Sequence, residues 1–240
     1  MTKEEKKESS ELLAENKSIV VPGQVIAKGM NYLPTEGTYR KEKDIIASRM
    51  GILNINGKII KTIPLKGRYM PKKNDLIIGK VRDIAMAGWS IDISNCAYRG
   101  FIRLEDGSSS YIERGEDLKR YFDIGEYLAT KVTNVSGQNL IDLTMKGPNL
   151  KKLKAGRIIK INPHKVPRII GKKGSMISLI KRKTNCEILI GQNGIVWVYS
   201  KDSKYNEVIA IESIKKVAEE SNSGGLTEKI EKFLDKNIKK

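Results

Sequence analysis

One decapeptide, residues 168–177 (Arg-Ile-Ile-Gly-Lys-Lys-Gly-Ser-Met-Ile), constrains the fold more than any other stretch of this chain. Gly171 and Gly174 bracket two lysines, and apolar residues lie on both sides at helical spacing. This pattern predicts two short helices joined by a Gly-x-x-Gly loop. Glycines there let a phosphodiester approach the backbone, because no Cβ is in the way. The amides that open the second helix, together with Lys172 and Lys173, then favour phosphate binding.

A second Gly-x-x-Gly, residues 191–194, lies between two apolar β-rich runs and predicts a hairpin turn instead. The order of elements separates the two motifs. The runs around the first predict a strand at 156–161, a helix at 166–170 begun by Pro167, a helix at 175–183, strands at 186–190 and 195–199, and a helix at 202–220. This β-α-α-β-β-α order resembles a type I KH domain, a module that clamps about four single-stranded nucleotides with its loop.

The charge of the chain indicates a polyanionic partner. Of the formal net charge of +17, residues 151–200 carry +11, with twelve Lys or Arg and a single acid, Glu187. No long apolar segment and no basic amphipathic helix with bulky aromatics favours a membrane, so nucleic acid is the expected partner. The candidate RNA-binding residues of this region are Gly171, Lys172, Lys173, Gly174, Lys165, Arg168, Lys181 and Arg182.

The middle of the chain predicts a small closed barrel. Five short alternating strands are expected at 76–84, 89–93, 100–104, 127–135 and 140–143, which fits a Greek-key barrel of the OB type. The details resemble an S1 domain. Gly79-Lys80-Val81 opens it, residues 88–93 (Gly-Trp-Ser-Ile-Asp-Ile) match its second strand, and residues 100–104 (Gly-Phe-Ile-Arg-Leu) match its third.

Two positions of this barrel depart from S1 domains that bind single strands by stacking. Such domains usually have Phe where this chain has Ser90, and His where it has Arg103. We therefore expect the barrel to bind RNA more through the charge of the RNA backbone than through stacking on its bases. Trp89 is ambiguous, since a tryptophan on a barrel strand is more often packed than stacked on a base. The candidate RNA-binding residues of the barrel are Arg82, Trp89, Arg99, Arg103 and Lys131.

The rest of the chain completes a multidomain plan, mainly β with α+β. The expected parts are a charged flexible tail at 1–17, a β-rich N-terminal domain at 18–70, the S1 domain at 71–148, the KH domain at 149–221, and a linker with a short C-terminal helix at 222–240. Pro22-Gly23 and Asn56-Gly57 predict turns within the N-terminal domain. Its small core is expected to pack on the barrel or on a partner.

Few groups in this sequence suit catalysis or metal binding. His164 is the only histidine, and Cys96 and Cys186 lack Cys-x-x-Cys spacing, so we expect buried thiols in a reducing cytoplasm and no metal or cofactor. Glu105-Asp106 and Glu116-Asp117 lie in loop-like stretches without the carboxylate cluster of a two-metal nuclease. We therefore expect no catalytic residues and a protein that binds.

A β-rich N-terminal region followed by S1 and KH domains resembles the S1/KH cap subunit of the archaeal RNA exosome, over residues 18 to about 220. Val20-Val21-Pro22-Gly23 and Asn162-Pro163 also look like that family. The resemblance implies a noncatalytic, cytoplasmic subunit, with three copies on a hexameric RNase PH-like phosphorolytic ring. The N-terminal domain would dock on the ring, while S1 and KH would bind single-stranded RNA and feed its 3′ end inward.

Two alternatives remain at this point. A transcription elongation or antitermination factor of the S1–KH type would bind nascent RNA, although it normally carries a second KH domain. A polynucleotide phosphorylase has both modules in the opposite order, behind long catalytic domains that this sequence lacks. Co-purification from a native extract separates these classes, since ring subunits indicate an exosome and RNA polymerase indicates an elongation factor.

Overall fold

The fold is described from a computed structural model. It describes residues 11–65, 67–94, 98–113, 115–136, 140–220 and 225–238, so Cys96 and the first ten residues of the predicted tail lie outside the described part. The chain divides into two compact units, Met1–Gly67 and Arg68–Lys240. No helix within the described ranges is long and apolar enough to cross a membrane.

The first unit is built from short strands. They are β1 (Glu11–Leu12), β2 (Ile19–Val20), β3 (Val25–Lys28), β4 (Leu33–Pro34), β5 (Thr38–Lys41), β6 (Asp44–Ala47), β7 (Gly51–Asn56) and β8 (Ile59–Pro64). One sheet has the order β1-β3-β6-β5 and the other the order β2-β7-β8-β4. Asn56-Gly57 forms the predicted turn between β7 and β8, with Gly57 at a φ of 58°. The β-rich N-terminal region is thus confirmed.

The first unit has an apolar core of its own, and part of the N-terminal tail packs into that core. Buried side chains from both sheets, among them Ile26, Ile45 and Leu53, form one cluster that also includes Ala14. Strand β1 pairs with β3, with Glu11 opposite Lys28. The prediction of a flexible tail as far as residue 17 is therefore wrong for residues 11–17, because backbone pairing and burial of Ala14 fix them.

The second unit opens with the barrel. Its elements are β9 (Leu76–Ala85), β10 (Gly88–Asp92), β11 (Arg99–Arg103), α1 (Leu104–Gly107), a 3-10 turn (Leu118–Arg120), β12 (Tyr127–Val135), β13 (Leu140–Thr144) and β14 (Lys151–Leu153). Strand β9 pairs with both β10 and β12, and β13 pairs with β12 and, in parallel, with β11, which closes a five-stranded barrel. This closed arrangement is the predicted OB type.

The barrel sheet extends further along the chain than the sequence predicts. Strand β14 pairs with β12, with Tyr127 opposite Leu153. The expected boundary between residues 148 and 149 is therefore too early, since residues 151–153 still belong to the barrel sheet. The cause is long-range pairing with β12, which the local pattern of lysines around Leu153 does not reveal.

After the barrel comes a three-stranded sheet covered by helices. Its elements are β15 (Arg157–Lys160), a 3-10 turn (Pro163–Lys165), α2 (Val166–Ile170), a 3-10 turn (Lys172–Gly174), α3 (Ser175–Thr184), β16 (Glu187–Ile190), β17 (Ile195–Tyr199), α4 (Lys204–Glu219) and α5 (Leu226–Asn237). The strand order is β15-β17-β16, antiparallel throughout. The β-α-α-β-β-α arrangement predicted for a KH domain is present.

The last helix completes the KH core. Leu226, Ile230 and Leu234 recur every four residues along α5, so they share one face, and all three are buried where α5 packs against α3 and α4. An ion pair adds to this contact, since Lys183 Nζ of α3 lies 2.6 Å from Asp235 Oδ1 and the hydrogen bond to that carboxylate raises the pKa of Lys183. Helix α5 therefore has a structural role in the KH core.

The barrel and the KH domain are joined by the turn between β16 and β17. Asn193 in this turn is fully buried, and its Nδ2 donates to the Ile78 carbonyl at 2.8 Å while its Oδ1 accepts from the Ile78 amide at 3.3 Å. Next to it, the Gln192 amide donates to the Leu76 carbonyl at 2.8 Å. Side chains of both domains, including Ile195 and Trp197, form an apolar cluster at this joint. The second Gly-x-x-Gly is thus a hairpin turn, as predicted.

Candidate nucleic-acid interface

The loop between α2 and α3 has the backbone that its glycines allow. Gly171 has a φ of 75° and Gly174 a φ of 79°, both left-handed values. A Cβ on Gly171 would lie 2.9 Å from the backbone nitrogen of Met176, so no side chain fits there. A Cβ on Gly174 would find its nearest atoms 3.9 Å away, so that glycine is required by conformation and leaves open space above the loop.

This loop presents donors and positive charge to solvent. Within the described part of the chain, no side chain caps the N-terminus of α3, whose N-cap is Gly174. The Ser175 amide donates to the Lys172 carbonyl, so an external acceptor would bind the later first-turn amides of α3. Lys172 and Lys173 are exposed, and Lys173 has a φ of 51°, which is uncommon for a residue with a side chain. Strain of this kind concentrates at functional sites.

The other predicted KH residues lie at different distances from the loop. Arg168 is exposed on α2, one helical turn before Gly171, and Lys165 is half-buried before α2 begins. Lys181 and Arg182 lie in the last turn of α3, which places them about 10 Å along the helix axis from its start. Arg168 thus belongs with the loop, whereas Lys181 and Arg182 sit where cations also stabilise a helix C-terminus.

On the barrel, two of the predicted residues share one strand face. Arg99 and Arg103 are both exposed on β11, four residues apart, with Phe101 between them on the same side. The Arg103 guanidinium lies 3.6 Å from the Asp142 carboxylate and 3.9 Å from that of Glu105. Arg82 lies on β9 and Lys131 on β12, so these two belong to other strands.

Trp89 is buried and cannot stack on a base, so the prediction that it binds RNA is wrong. The side chain is 0% exposed, and its Nε1 donates to the Phe122 carbonyl at 3.1 Å. The Phe122 ring packs edge-on against it, with centroids 5.0 Å apart. A Cβ on Gly107 would lie 2.5 Å from the indole, which shows how closely α1 covers it. Trp89 is a core residue of the barrel.

The structure adds aromatic residues that sequence reasoning missed. A groove of about 590 Å³ lies beside the end of β11 and is lined by Phe101, Arg103 and Tyr111, with Met86 at its edge. Tyr111 is 86% exposed and Met86 93% exposed. The signal that marks Tyr111 in the sequence is an aromatic directly after three serines, where a solvated loop has no packing need for it. An exposed ring beside a guanidinium suits a nucleobase.

Groups suited to metal binding are not assembled in the described part of the chain. There, no group of three or more His, Cys, Asp or Glu side chains is placed to hold a metal. Cys186 is a buried free thiol, and burial raises its pKa, which disfavours the reactive thiolate. Asp117 accepts from the Lys119 amide, and Glu116 accepts from the Tyr121 hydroxyl, so these carboxylates stabilise a loop.

Two family models match separate parts of the chain. The model of the KH domain matches residues 156–204. The model described as the N-terminal region of the exosome complex exonuclease RRP4 matches residues 19–56. A crystal structure described as an exosome complex RNA-binding protein superimposes with a TM-score of 0.63, at 30% identity, over 71% of this chain and 97% of that one.

Two relatives of known name align with this chain over most of their length. The exosome complex component Rrp4 of Methanothermus fervidus is 39% identical over 228 residues, which cover 95% of this chain and 99% of that protein. The protein of the same name from Pyrococcus furiosus is 38% identical over 226 residues, 93% of this chain and 84% of that protein. The resemblance to S1/KH exosome subunits is confirmed, and the chain belongs to the family of the exosome complex component Rrp4.

Proposed function

We propose that this protein is the RNA-binding subunit of an exosome, which captures single-stranded RNA and guides its 3′ end into a phosphorolytic RNase PH-like ring. The observation that carries the proposal is the Gly171–Gly174 loop, where an uncapped helix N-terminus lies beside Lys172 and Lys173. Membership of the Rrp4 family supports assembly into an exosome and disfavours the elongation-factor alternative. The proposed copy number is three per hexameric ring, and the proposed location is the cytoplasm.

The two domains would hold RNA by different chemistry. The KH loop offers amides and lysines, which recognise phosphates regardless of sequence. The barrel offers Arg99 and Arg103 for phosphates and, through Phe101 and Tyr111, rings on which bases stack. Stacking is tolerant of sequence because every base has a π face, so we propose weak sequence selectivity.

Docking on the ring is assigned to the first unit because of an apolar sheet face. In the sheet of β2, β7, β8 and β4, Ile19 lies opposite Ile52, and Ile52 lies opposite Ile63, so the three form a row across three strands. At the other end of the same sheet face, beyond the polar pair Asn54 and Lys61, Leu33 lies opposite Ile59. Ile19 is 62% exposed and Ile63 46%. An exposed apolar face of this kind usually marks an interaction with another protein.

A noncatalytic role fits the chemistry of the described residues. Three of the acidic side chains near the barrel loops have structural partners, with Asp117 capping the 3-10 turn, Glu116 holding Tyr121, and Asp142 facing Arg103. Two-metal phosphodiester chemistry needs carboxylates that converge on one point. Cleavage would then belong to the ring, and this subunit would supply substrate.

Reconstitution tests this function. The purified protein, incubated with RNA, magnesium and phosphate, is expected to release no nucleoside diphosphates. Added to the ring, it is expected to lower the apparent KM for RNA about tenfold while kcat stays nearly constant, because it contributes binding and not bond cleavage. Phosphorolysis that persists in the isolated protein after trace ring subunits are removed would contradict the noncatalytic assignment.

Salt titration tests the chemistry of binding. A KH loop that holds about four nucleotides implies roughly four phosphate contacts, hence a slope of log affinity against log salt of about −3 or steeper. Raising the salt fourfold, from 50 to 200 mM, is then expected to weaken binding about 50-fold. Affinity that hardly changes with salt, or a thousandfold preference for one sequence, would show that phosphate contacts do not dominate.

A further inference from the structure

The segment that joins the two domains is the most basic part of the chain, and the RNA-binding surfaces described above use none of it. Residues 151–160 contain Lys151, Lys152, Lys154, Arg157 and Lys160 and no acid. The segment begins as β14 on the barrel and ends as β15 in the KH sheet. Its charges therefore lie between the barrel surface and the KH domain.

Two cavities share the backbone of this segment, and the pair is called the interdomain groove below. The first, of about 620 Å³, is lined by Tyr127, Lys152 and Lys154 among others, and the second, of about 470 Å³, by residues around Arg157 and Lys204. Ala155 and Gly156 line both cavities. A Cβ on Gly156 would lie 2.5 Å from the Val198 carbonyl, so no side chain fits at this position of the junction.

The carboxylates of this groove are already engaged. Lys152 Nζ lies 2.6 Å from Glu126 Oε1, and Arg157 Nε lies 3.4 Å from Glu207 Oε2. Asp202 accepts from the Asn185 side-chain amide at 3.1 Å.

Three exposed lysines of the groove, Lys154, Lys201 and Lys204, make no ion pair with any described residue. The groove therefore presents an excess of positive charge. Five cations and three carboxylates line the two cavities, an excess of two positive charges, so an anionic ligand along the groove meets a net positive charge.

The walls of the groove are fixed before any ligand arrives. Asn193 bonds both backbone groups of Ile78, which holds the KH sheet against β9. On the floor, the Trp197 indole N–H donates to the Ala155 carbonyl. Tyr127 contributes a half-buried ring, with Lys80 Nζ 5.9 Å from its centroid. Cations along a preformed groove with an aromatic wall are the features that single-stranded RNA sites combine.

We propose that the interdomain groove is an additional RNA-binding surface, in which Lys154, Lys201 and Lys204 hold backbone phosphates of single-stranded RNA that passes between the barrel and the KH domain. This inference rests on the proposed RNA-binding function. It assigns a ligand to charges that neither the Gly171–Gly174 loop nor the barrel aromatics explain.

The test compares two triple variants of the full-length protein with equal net charge. One carries Lys154→Glu, Lys201→Glu and Lys204→Glu. The control carries the same change at three exposed lysines of α4 and α5, Lys215, Lys232 and Lys236. Binding of poly(A) RNA is measured across a salt series. The groove variant is expected to bind at least tenfold more weakly than the control, with a salt slope shallower by about 2, since about three phosphate contacts are lost.

Folding and specificity are checked in the same experiment. Lys204→Glu places a negative charge in the first turn of α4, where it is favourable. If the glutamate triple variant does not melt cooperatively, a variant with glutamine at the same three positions replaces it. Equal RNA affinity and equal salt slope in the groove and control variants would overturn the inference. If the Lys172→Asp/Lys173→Asp variant still binds RNA more weakly than the unmodified protein, the proposed RNA-binding function stands. Normal RNA binding with lost stimulation of the ring would assign the groove to a protein partner and also overturn it.

Discussion

Replacing Lys172 and Lys173 by aspartate is expected to lower the affinity for single-stranded RNA about 100-fold. Both lysines are exposed and directly precede α3, whose N-terminus no side chain caps and where a phosphate would bind. A hydrogen bond to a charged group is worth about 1.5 kcal/mol or more, and about 1.4 kcal/mol corresponds to a factor of ten. Fluorescence anisotropy with a labelled poly(A) strand measures the change.

The glycines and the apolar core are left intact by this double variant. Because both lysines are exposed, its free energy of unfolding is expected to change by no more than about 0.5 kcal/mol per position. The matched control is Lys215→Asp with Lys232→Asp, which makes the same charge change on α4 and α5. RNA affinity equal to that of this control would remove the loop from the interface.

A second large effect is expected from charge on the apolar sheet face of the first unit. Ile19→Lys with Ile63→Lys places two cations at the ends of the row that runs through Ile52. If this row is buried against the ring, two unpaired charges lose their hydration there, a cost that abolishes a stable interface. Stimulation of ring phosphorolysis is expected to disappear, whereas RNA affinity of the isolated protein stays within about twofold, since surface changes away from a site are usually small.

The control for this variant lies elsewhere on the same unit. Met30→Lys with Tyr39→Lys adds the same two charges at exposed residues outside that sheet, one of them on β5. This control is expected to stimulate the ring like the unmodified protein. Stimulation that survives in the Ile19/Ile63 variant would move the docking surface away from this face, and loss of RNA binding by the same variant would show that the unit contributes to RNA contact instead.

Local patterns predicted the elements whose signals are local. Helix α2 covers Val166–Ile170 and strand β17 covers Ile195–Tyr199, the ranges expected from Pro167 and from an apolar run after a turn. Both elements carry start or stop signals within a few residues of themselves. Their agreement with the structure therefore follows from capping and turn chemistry, which depend on neighbours along the chain.

The elements and site residues that sequence reasoning missed depend on distant partners. Strand β1 exists because Glu11 pairs opposite Lys28, and no residue near Glu11 signals that pairing. Trp89, an RNA-binding candidate, is covered by Phe122, whereas Tyr111, for which the sequence predicted no role, is exposed. The other RNA-binding candidates stay predictions, because only the variants above test their contribution to RNA binding.

The two bonds from Asn193 to Ile78 have a thermodynamic consequence for avidity. Two sites joined by a flexible linker present each other with an effective concentration that falls as the linker lengthens. Here the KH turn is fastened directly to a barrel strand, so a strand of RNA that occupies one surface meets the other at a fixed separation, with no search through linker conformations. RNAs too short to reach both surfaces gain no avidity from this joint. The contact at Asn193 therefore favours the binding of longer RNAs.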